Sequence, residues 1–413
     1  MRQPTRLGVI DLGSNSGRLV LALREAHGIP HIVDESQVSL RLAEGLQRTG
    51  RIAEAAIDRA ERALVAFRVM CERFGAEQVI TAGTSALRDA ANSDEAVRRL
   101  EAASGLSIDV LSGEREAYYG YLAAVNSLPF EHGLVLDLGG GSLELAVVSE
   151  RRCERVLSFP FGTLRLTEEF LRSDPPAPKE IEALARQVAR ALRRSGVGPL
   201  PAGHALVGIG GTVRTLARLV RRNAGLPSSR LHGYALEAAA LRELARALGR
   251  QSEAERRRTP GLPLERAGII VAGALVVREV LEATQAPSLL SCGQGLREGI
   301  AYEAFRAGEP PLIPDVRRAG IEAFAERYSA TRAGEGGLRS GQVEELALRL
   351  LRRLSPLLPF DGADRELLAA AAVLCDIGRT VSLYRWPEHT LYLLANGDLT
   401  GYTQQEALLI AQV

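Results

Sequence analysis

Two aspartates, each followed by a turn of small residues, are the positions in this chain best suited to chemistry. Asp11 lies in Gly-Val-Ile-Asp-Leu-Gly-Ser-Asn-Ser-Gly-Arg-Leu-Val (residues 8–20), and Asp137 lies in Leu-Val-Leu-Asp-Leu-Gly-Gly-Gly-Ser-Leu-Glu-Leu-Ala (residues 134–146). Residues without bulky side chains let backbone amides approach phosphate oxygens closely. This internal repeat therefore predicts two phosphate-binding hairpins that face each other across a cleft.

The two turns also carry polar donors. In the first copy they are the side chains of Ser14, Asn15 and Ser16. In the second copy they are the backbone amides of Gly139, Gly140 and Gly141 and the hydroxyl of Ser142. A carboxylate repels phosphate unless a hard cation lies between them, and Mg²⁺ typically binds one or two carboxylates, substrate phosphate and water. We therefore expect Asp11 and Asp137 to hold Mg²⁺, with Mn²⁺ as the alternative ion. An ordinary tight turn explains one copy equally well, but two copies at domain-scale spacing favour the phosphate site.

Composition limits the class of protein. The 413 residues carry 51 Lys and Arg against 50 Asp and Glu, so an anionic ligand has to be attracted by local basic clusters. Several arginine pairs could form such a cluster or simply a solvated surface. No apolar run is long enough for a membrane span, no secretory signal is recognisable, and the four cysteines lack metal-type spacing. We expect a cytoplasmic enzyme with no membrane or nucleic-acid partner.

Alternating strands and helices must position the two turns. The pattern predicts helices at about 52–74, 94–103 and 114–128, with strands at 77–82 and 107–111. Residues 129–307 repeat this alternation of strands and helices, and only helices follow the Gly- and Pro-rich segment 308–314. The sequence thus predicts an α/β fold of two duplicated lobes (1–128 and 129–307) followed by an all-α domain (308–413).

Further motifs resemble one family closely. They are Thr84-Ser-Ala-Leu-Arg-Asp-Ala90, Ser112-Gly-Glu-Arg-Glu-Ala117, Gly162-Thr-Leu-Arg-Leu-Thr-Glu168, Gly208-Ile-Gly-Gly-Thr212, Pro260-Gly-Leu-Pro-Leu-Glu-Arg-Ala267 and Gly295-Leu-Arg-Glu-Gly299. In this order they resemble the exopolyphosphatase and guanosine pentaphosphate (pppGpp) phosphatase family, within the actin, sugar-kinase and heat-shock ATPase superfamily. The likeness covers residues 5–305.

The resemblance implies ribonuclease H-like lobes and Mg²⁺-dependent removal of terminal phosphate from inorganic polyphosphate or pppGpp, in a protein expected to be a homodimer. It implies that Glu116 is the base that activates water, and we expect Glu116 to be a metal ligand as well, together with Asp11 and Asp137. It also implies that Asp137 is associated with the metal and that Arg88 binds phosphate. The implied phosphate cradle consists of Asn15, Gly139, Gly140, Gly141 and Ser142.

The residue types agree with these roles. Glu116 opens a helix, and the positive helix terminus favours its ionised form, so we expect a carboxylate ready to act as a base. Glu114 is the rival assignment on proximity alone. Arg88 either binds phosphate through its planar fork or pairs with Asp89 at the surface.

Gly210, Gly211 and Thr212 follow a predicted strand and open a helix. They either contact phosphate or nucleotide at the cleft, or serve only the structure of the turn. The sequence leaves both interpretations open.

The helical domain resembles an HD-like domain with a degenerate metal site. Cys375 occupies the position of the motif histidine, and His389 is the domain's single histidine. Because a metal phosphohydrolase needs several converging imidazole and carboxylate ligands, we expect this domain to bind polyanion or to mediate dimerisation.

Four functions compete at this stage. Exopolyphosphatase is favoured, and pppGpp 5′-phosphohydrolase uses the same chemistry but needs a guanosine pocket that no residues specify. A phosphotransferase or ATP-driven clamp would need an adenosine pocket near residues 208–212 and leaves Glu116 without a role. A catalytically silent sensor of phosphate chains does not explain the intact carboxylates.

Overall fold

The first lobe is built on a five-stranded sheet. The computed structural model describes residues 4–222, 230–329 and 336–413. In this lobe the elements are β1 Arg6–Leu12, β2 Ser16–Arg24, β3 Pro30–Ser39, α1 Leu46–Thr49, α2 Glu54–Phe74, β4 Gln78–Gly83, α3 Ser85–Asp89, α4 Ser93–Ser104, β5 Ile108–Val110 and α5 Gly113–Val125. The strand order is β3-β2-β1-β4-β5, with antiparallel hairpins at β1–β2–β3 and parallel pairing from β1 to β5.

The second lobe repeats this topology and adds one edge strand. Its elements are β6 Gly133–Leu138, β7 Leu143–Ser149, β8 Arg152–Phe159, α6 Thr163–Phe170, α7 Pro178–Arg194, β9 Ala205–Ile209, α8 Gly210–Arg222, β10 Tyr234–Glu237, α9 Ala238–Arg250, α10 Glu253–Arg256, α11 Ile270–Thr284, β11 Ser288–Ser291 and α12 Leu296–Phe305. The order β10-β11-β9-β6-β7-β8 places β8, β7, β6, β9 and β11 where the first lobe has β3, β2, β1, β4 and β5. The predicted duplication is confirmed.

Sequence patterns explain these elements. Helix α2 buries Ile57, Leu64 and Phe67 at helical spacing against the first sheet. At the start of α5, the Ser112 hydroxyl accepts a hydrogen bond from the Arg115 amide (3.2 Å), which caps the helix. The helices predicted at 52–74, 94–103 and 114–128 are confirmed with small shifts at their ends.

A shared core joins the two lobes. Leu7 and Val9 of β1, Val135 of β6 and Leu122 of α5 belong to one buried cluster, together with residues of α12 such as Ile300. Although α12 follows the second sheet in sequence, it packs on α5 and β1. The helix that carries Glu116 is therefore held by both lobes.

The C-terminal region is helical, as predicted. It contains α13 Val316–Ser329, α14 Gly336–Leu354, α15 Gly362–Leu374, α16 Trp386–Asn396 and α17 Gln404–Gln412. Its own core includes Ile321, Phe324, Leu374, Leu394 and Tyr402. Among all described helices, none combines the length and apolar character that crossing a membrane requires.

Candidate active site

The two repeated turns face each other across the cleft between the lobes. The Gly13 amide donates to the Ser16 carbonyl, and the Gly139 amide donates to the Ser142 carbonyl, both across 3.1 Å, so the turns have the same closure. A Cβ built on Gly140 would lie 3.2 Å from the Ser14 Cβ, and one on Gly141 would overlap the Ser85 hydroxyl. Side chains at these positions would wedge the turns apart.

The second turn keeps amide donors available for an anion. The first amides of α6, at Thr163 and Leu164, bind the carbonyls of Gly139 and Gly140 across 3.0 and 2.9 Å. Within the described chain, no backbone carbonyl accepts from the amides of residues 140–142. Because unpaired amides are strong donors, this turn is suited to phosphate oxygens. The flanking Ser14, Asn15, Ser16 and Ser142 also line the cleft.

Asp11 and Asp137 occupy equivalent positions on β1 and β6 and both line the cleft. Burial raises the pKa of Asp11, and the nearby Arg297 and Arg18 oppose this shift. Burial and then the charge of Asp11 raise the pKa of Asp137 to about 6. The two carboxylates are therefore close enough to repel each other, and a bound cation would relieve that repulsion.

The donor set at these aspartates fits Mg²⁺. The Oδ1 atom of Asp11 is buried without a hydrogen-bond partner, and oxygen is the ligand that Mg²⁺ prefers. No three His, Cys, Asp or Glu side chains of the described residues come together as a ready-made metal site. Asp11 and Asp137 would share the ion with water and substrate phosphate, and the expected part of Glu116 as a further ligand stays a prediction. The metal itself stays a prediction.

Glu116 lies in the first turn of α5 and lines the same cleft, whereas Glu114 is exposed and does not. The Glu116 side chain is 12% exposed, and Arg88 Nη1 donates to Glu116 Oε2 across 3.0 Å. Burial raises the pKa of Glu116 to about 7, although Arg88 opposes the shift. The helix terminus does not keep this carboxylate fully ionised, because burial outweighs its modest favourable effect, but a pKa near 7 still leaves Glu116 available as a base.

Arg88 contacts Glu116 and is not among the residues that line the cleft. Besides Glu116, its Nη1 atom binds the Leu111 carbonyl across 2.9 Å, and its Nε atom is 3.8 Å from Asp89. The short ion pair of Asp89 is made instead with Arg165 of the other lobe, across 2.6 Å. Arg88 therefore acts on the carboxylate here, and its direct contact with phosphate stays a prediction.

Four cleft arginines were missed by the sequence interpretation. They are Arg18, Arg214, Arg266 and Arg297, and they come from four separate segments. Burial together with their mutual repulsion lowers the pKa values of Arg18 and Arg214, and lowers that of Arg266 to about 10. Arg297 has its nearest carboxylates at 3.9 Å. This concentration of positive charge is suited to a polyanion.

Some signals for these arginines were present in the sequence. Arg266 and Arg297 lie in motifs already singled out, and Arg18 follows the first turn as the register partner of Asp11. The arginine pairs noted from composition do not line the cleft. In the run Arg256-Arg257-Arg258, for example, Arg256 donates to the Ala267 carbonyl across 2.7 Å inside the second lobe.

Glu144 was also missed. It is 1% exposed on β7, opposite Asp137, and accepts a hydrogen bond from the Ser158 hydroxyl across 3.2 Å. Burial and the charge of Glu116 raise its pKa well above the usual range. The raised pKa favours the neutral form of Glu144, which limits the negative charge beside Glu116.

The Gly210-Gly211-Thr212 segment contributes to both structure and cleft. Gly210 has a φ of 93°, and a Cβ on Gly211 would overlap the Arg266 guanidinium. Arg266 Nη1 also lies 3.5 Å from the Thr212 hydroxyl. These small residues line the cleft and leave the space that Arg266 occupies.

Comparison with known proteins agrees with this geometry. The model of the Ppx/GppA phosphatase family matches residues 20–307, and that of Ppx/GppA phosphatase domain III matches residues 316–413. Exopolyphosphatase 1 of Mycobacterium tuberculosis is 32% identical over 200 residues, which are 48% of this chain and 58% of that protein. An uncharacterised Streptomyces coelicolor protein is 36% identical over 192 residues, 46% of this chain and 57% of that protein. The chain thus spans a little over half the length of these relatives.

Solved structures of similar fold point to the same family. An Aquifex aeolicus Ppx/GppA family member has 29% identity and a TM-score of 0.65, with 74% of this chain and 100% of that chain covered. An exopolyphosphatase from Cytophaga hutchinsonii has 25% identity and a TM-score of 0.67, with 74% and 99% covered. With both family models matched along most of its length, this chain belongs to the Ppx/GppA phosphatase family.

Proposed function

We propose that this chain is an exopolyphosphatase that releases terminal orthophosphate from inorganic polyphosphate by hydrolysis, with Mg²⁺ bound at Asp11 and Asp137. The observation that supports this most is the position of Glu116 in the cleft where the two phosphate-binding turns meet. The membership of the family and the likeness to a named exopolyphosphatase support the same substrate class. A cytoplasmic homodimer is part of this proposal.

Substrate binding follows from the donors around the cleft. The terminal phosphate unit lies between the turns, where the amides of residues 140–142 and the hydroxyls of Ser14 and Ser142 donate to its oxygens. The arginine cluster of Arg18, Arg214, Arg266 and Arg297 compensates the charge of the following units. Phosphoryl transfer depends mainly on such charge compensation and in-line alignment. A bound Mg²⁺ would add further compensation between the aspartates and phosphate.

Glu116 performs the proton transfer. In its ionised form it accepts a proton from a water molecule whose oxygen attacks the terminal phosphorus. The new P–O bond forms as the anhydride P–O bond breaks, and the electron pair of the broken bond remains on the bridging oxygen of the shortened chain. A base with a pKa near neutrality suits this task, because it is both available and strong enough at physiological pH.

A pppGpp 5′-phosphohydrolase is the second candidate, and one observation favours it. A second chamber adjoins the cleft and shares Arg214, Gln294 and Arg297 with it. The chamber is also lined by the carboxylates Asp34 and Asp398, which would repel a long polyphosphate chain but can accept hydrogen bonds from a base or ribose.

A phosphate-release assay separates these candidates. The protein is given long-chain polyphosphate, pppGpp and ATP side by side, with and without Mg²⁺. Metal-dependent release from polyphosphate in preference to pppGpp supports the proposal, whereas preference for pppGpp favours the second candidate. Release from neither, or ADP formation coupled to an acceptor, would contradict both.

A further inference from the structure

His232 is a buried histidine that the proposed hydrolysis does not use. It is 7% exposed, its Nδ1 atom accepts a hydrogen bond from the Gly293 amide, and its Nε2 atom binds the Ser127 carbonyl, each across 3.0 Å. A backbone amide only donates and a carbonyl only accepts, so the ring is the neutral Nε2–H tautomer. Burial and the charge of Arg230 lower the pKa of His232 to about 4, in agreement with a neutral ring.

Gly293, whose amide donates to His232, also contacts a residue of the cleft through its carbonyl. The Gly293 carbonyl accepts a hydrogen bond from Arg214 Nη1 across 2.7 Å. Arg214 lies in the cleft, where the charge of Arg297 repels it. A guanidinium in such a cluster needs a fixed acceptor to keep its orientation. The Gly293 carbonyl is such an acceptor, because His232 holds the Gly293 amide in place.

Ser127, whose carbonyl binds His232 Nε2, also contacts the helical domain. The Ser127 carbonyl also accepts from the Gly401 amide across 2.9 Å, just beyond the end of α5, the helix that carries Glu116. Next to His232, the Gly233 carbonyl accepts from the Gln404 amide across 3.2 Å. The Gln404 side chain donates to the Arg230 carbonyl across 2.8 Å, and this contact is buried. The helical domain thus contacts one hydrogen-bond partner of the imidazole, Ser127, and also contacts Arg230 and Gly233, which flank His232 in the chain.

We propose that His232 is a positioning residue that links the docked helical domain to Arg214 and so sets the affinity of the cleft for phosphate chains. This inference rests on the proposed function in one respect, namely that Arg214 binds substrate phosphate. It assigns to the helical domain a part in substrate binding that does not require any residue of that domain to contact the substrate.

Two amide substitutions separate the two hydrogen bonds. In His232→Asn the side-chain oxygen lies near the original Nδ1 position and can still accept from the Gly293 amide, while the bond to Ser127 is lost. In His232→Gln the terminal amide lies near the original Nε2 position and can still donate to Ser127, while the bond to Gly293 is lost. Val280→Ala, a substitution of a fully buried α11 side chain, serves as a control that lowers stability without touching the cleft.

The measurement is calorimetric binding of inorganic triphosphate without divalent metal, beside KM and kcat for polyphosphate and thermal unfolding of each variant. We expect His232→Gln to weaken triphosphate binding and raise KM by about 5-fold, with kcat within about 2-fold of the unsubstituted protein. His232→Asn keeps the acceptor for the Gly293 amide and loses only the bond to Ser127, so it should weaken triphosphate binding by a smaller factor, about 2- to 3-fold. Equal binding by His232→Gln and the unsubstituted protein would overturn the proposal, as would the same loss in Val280→Ala.

Gln404→Ala provides a test that leaves the imidazole in place, should both His232 variants fail to fold. It removes the bond to the Arg230 carbonyl and should also weaken triphosphate binding; unchanged binding overturns the link to the helical domain. Because triphosphate binding needs no turnover, the comparison is informative even if the protein releases no phosphate. That last result would contradict the proposed function and not the role of His232.

Discussion

Arg88 at the end of α3 donates a hydrogen bond to Glu116 in the first turn of α5, across 3.0 Å. Burial raises the pKa of Glu116 and this arginine opposes the increase, with a resulting value of about 7. A carboxylate with such a pKa is ionised in an appreciable fraction of molecules at neutral pH and is a stronger base than an exposed one. The contact between the two residues therefore controls the group that the proposed hydrolysis needs most.

Substitution of Glu116 by Gln should lower kcat by about 10²- to 10⁴-fold, the usual contribution of a general base. The uncharged amide keeps the shape of the side chain, so KM for polyphosphate should change little. Steady-state phosphate release measures both parameters. Glu114→Gln, two residues earlier and exposed, is the matched control and should retain full activity. Equal losses in the two variants would remove the special role of Glu116.

The pH profile of kcat/KM should have an acidic limb near pH 7. Below that pH Glu116 is protonated and cannot accept a proton from water, so the rate should fall about tenfold per pH unit. Substitution of Arg88 by Gln removes the cation that lowers this pKa, and the limb should move to higher pH. Rates measured from pH 5 to 9 test both statements. A profile that is flat down to pH 5 would contradict them.

Asp137→Asn should make the free protein more stable at alkaline pH. Burial and the charge of Asp11 raise the pKa of Asp137 from its ordinary value of 3.8 to about 6 in the folded state, so the folded protein binds this proton more tightly. The resulting stabilisation is complete below about pH 4 and is lost as the pH rises through about 6.

At pH 8 and without divalent ions, we therefore expect the substitution to raise the free energy of unfolding by about 2 to 3 kcal/mol, with no gain at pH 4. Denaturant unfolding at the two pH values measures the difference. Glu169→Gln, at an exposed position of α6, should have no such effect. A gain of equal size at both pH values would argue against a buried, repelled carboxylate.

Arg18→Gln and Arg266→Gln should each raise KM for polyphosphate by about 10-fold, because a buried charge-assisted contact is lost. The dependence of KM on salt should also become weaker, since fewer charges interact with the polyanion. Arg352→Gln, on the exposed face of α14, is the control for a general change of charge. Unaltered KM values in the first two variants would exclude the cluster from substrate binding.

The features that the sequence predicted are local ones. Asp11 and Asp137 could be placed because each lies within one hairpin whose pattern repeats, and the opposed turns follow from duplicated lobes. The convergence of Arg18, Arg214, Arg266 and Arg297 depends on contacts between four distant segments, which periodicity does not reveal. The ionisation of Glu116 was misjudged for a related reason: a helix start is visible in the sequence, but the burial that outweighs it arises only when both lobes enclose α5.

Hydrolysis of polyphosphate in ¹⁸O-labelled water tests the central claim most directly. Mass spectrometry of the orthophosphate released in a single turnover should find one solvent oxygen per phosphate, and Glu116→Gln should slow the appearance of that label by the same factor as kcat. Released phosphate without solvent oxygen, or labelling at the original rate in Glu116→Gln, would contradict attack by a water molecule that Glu116 activates.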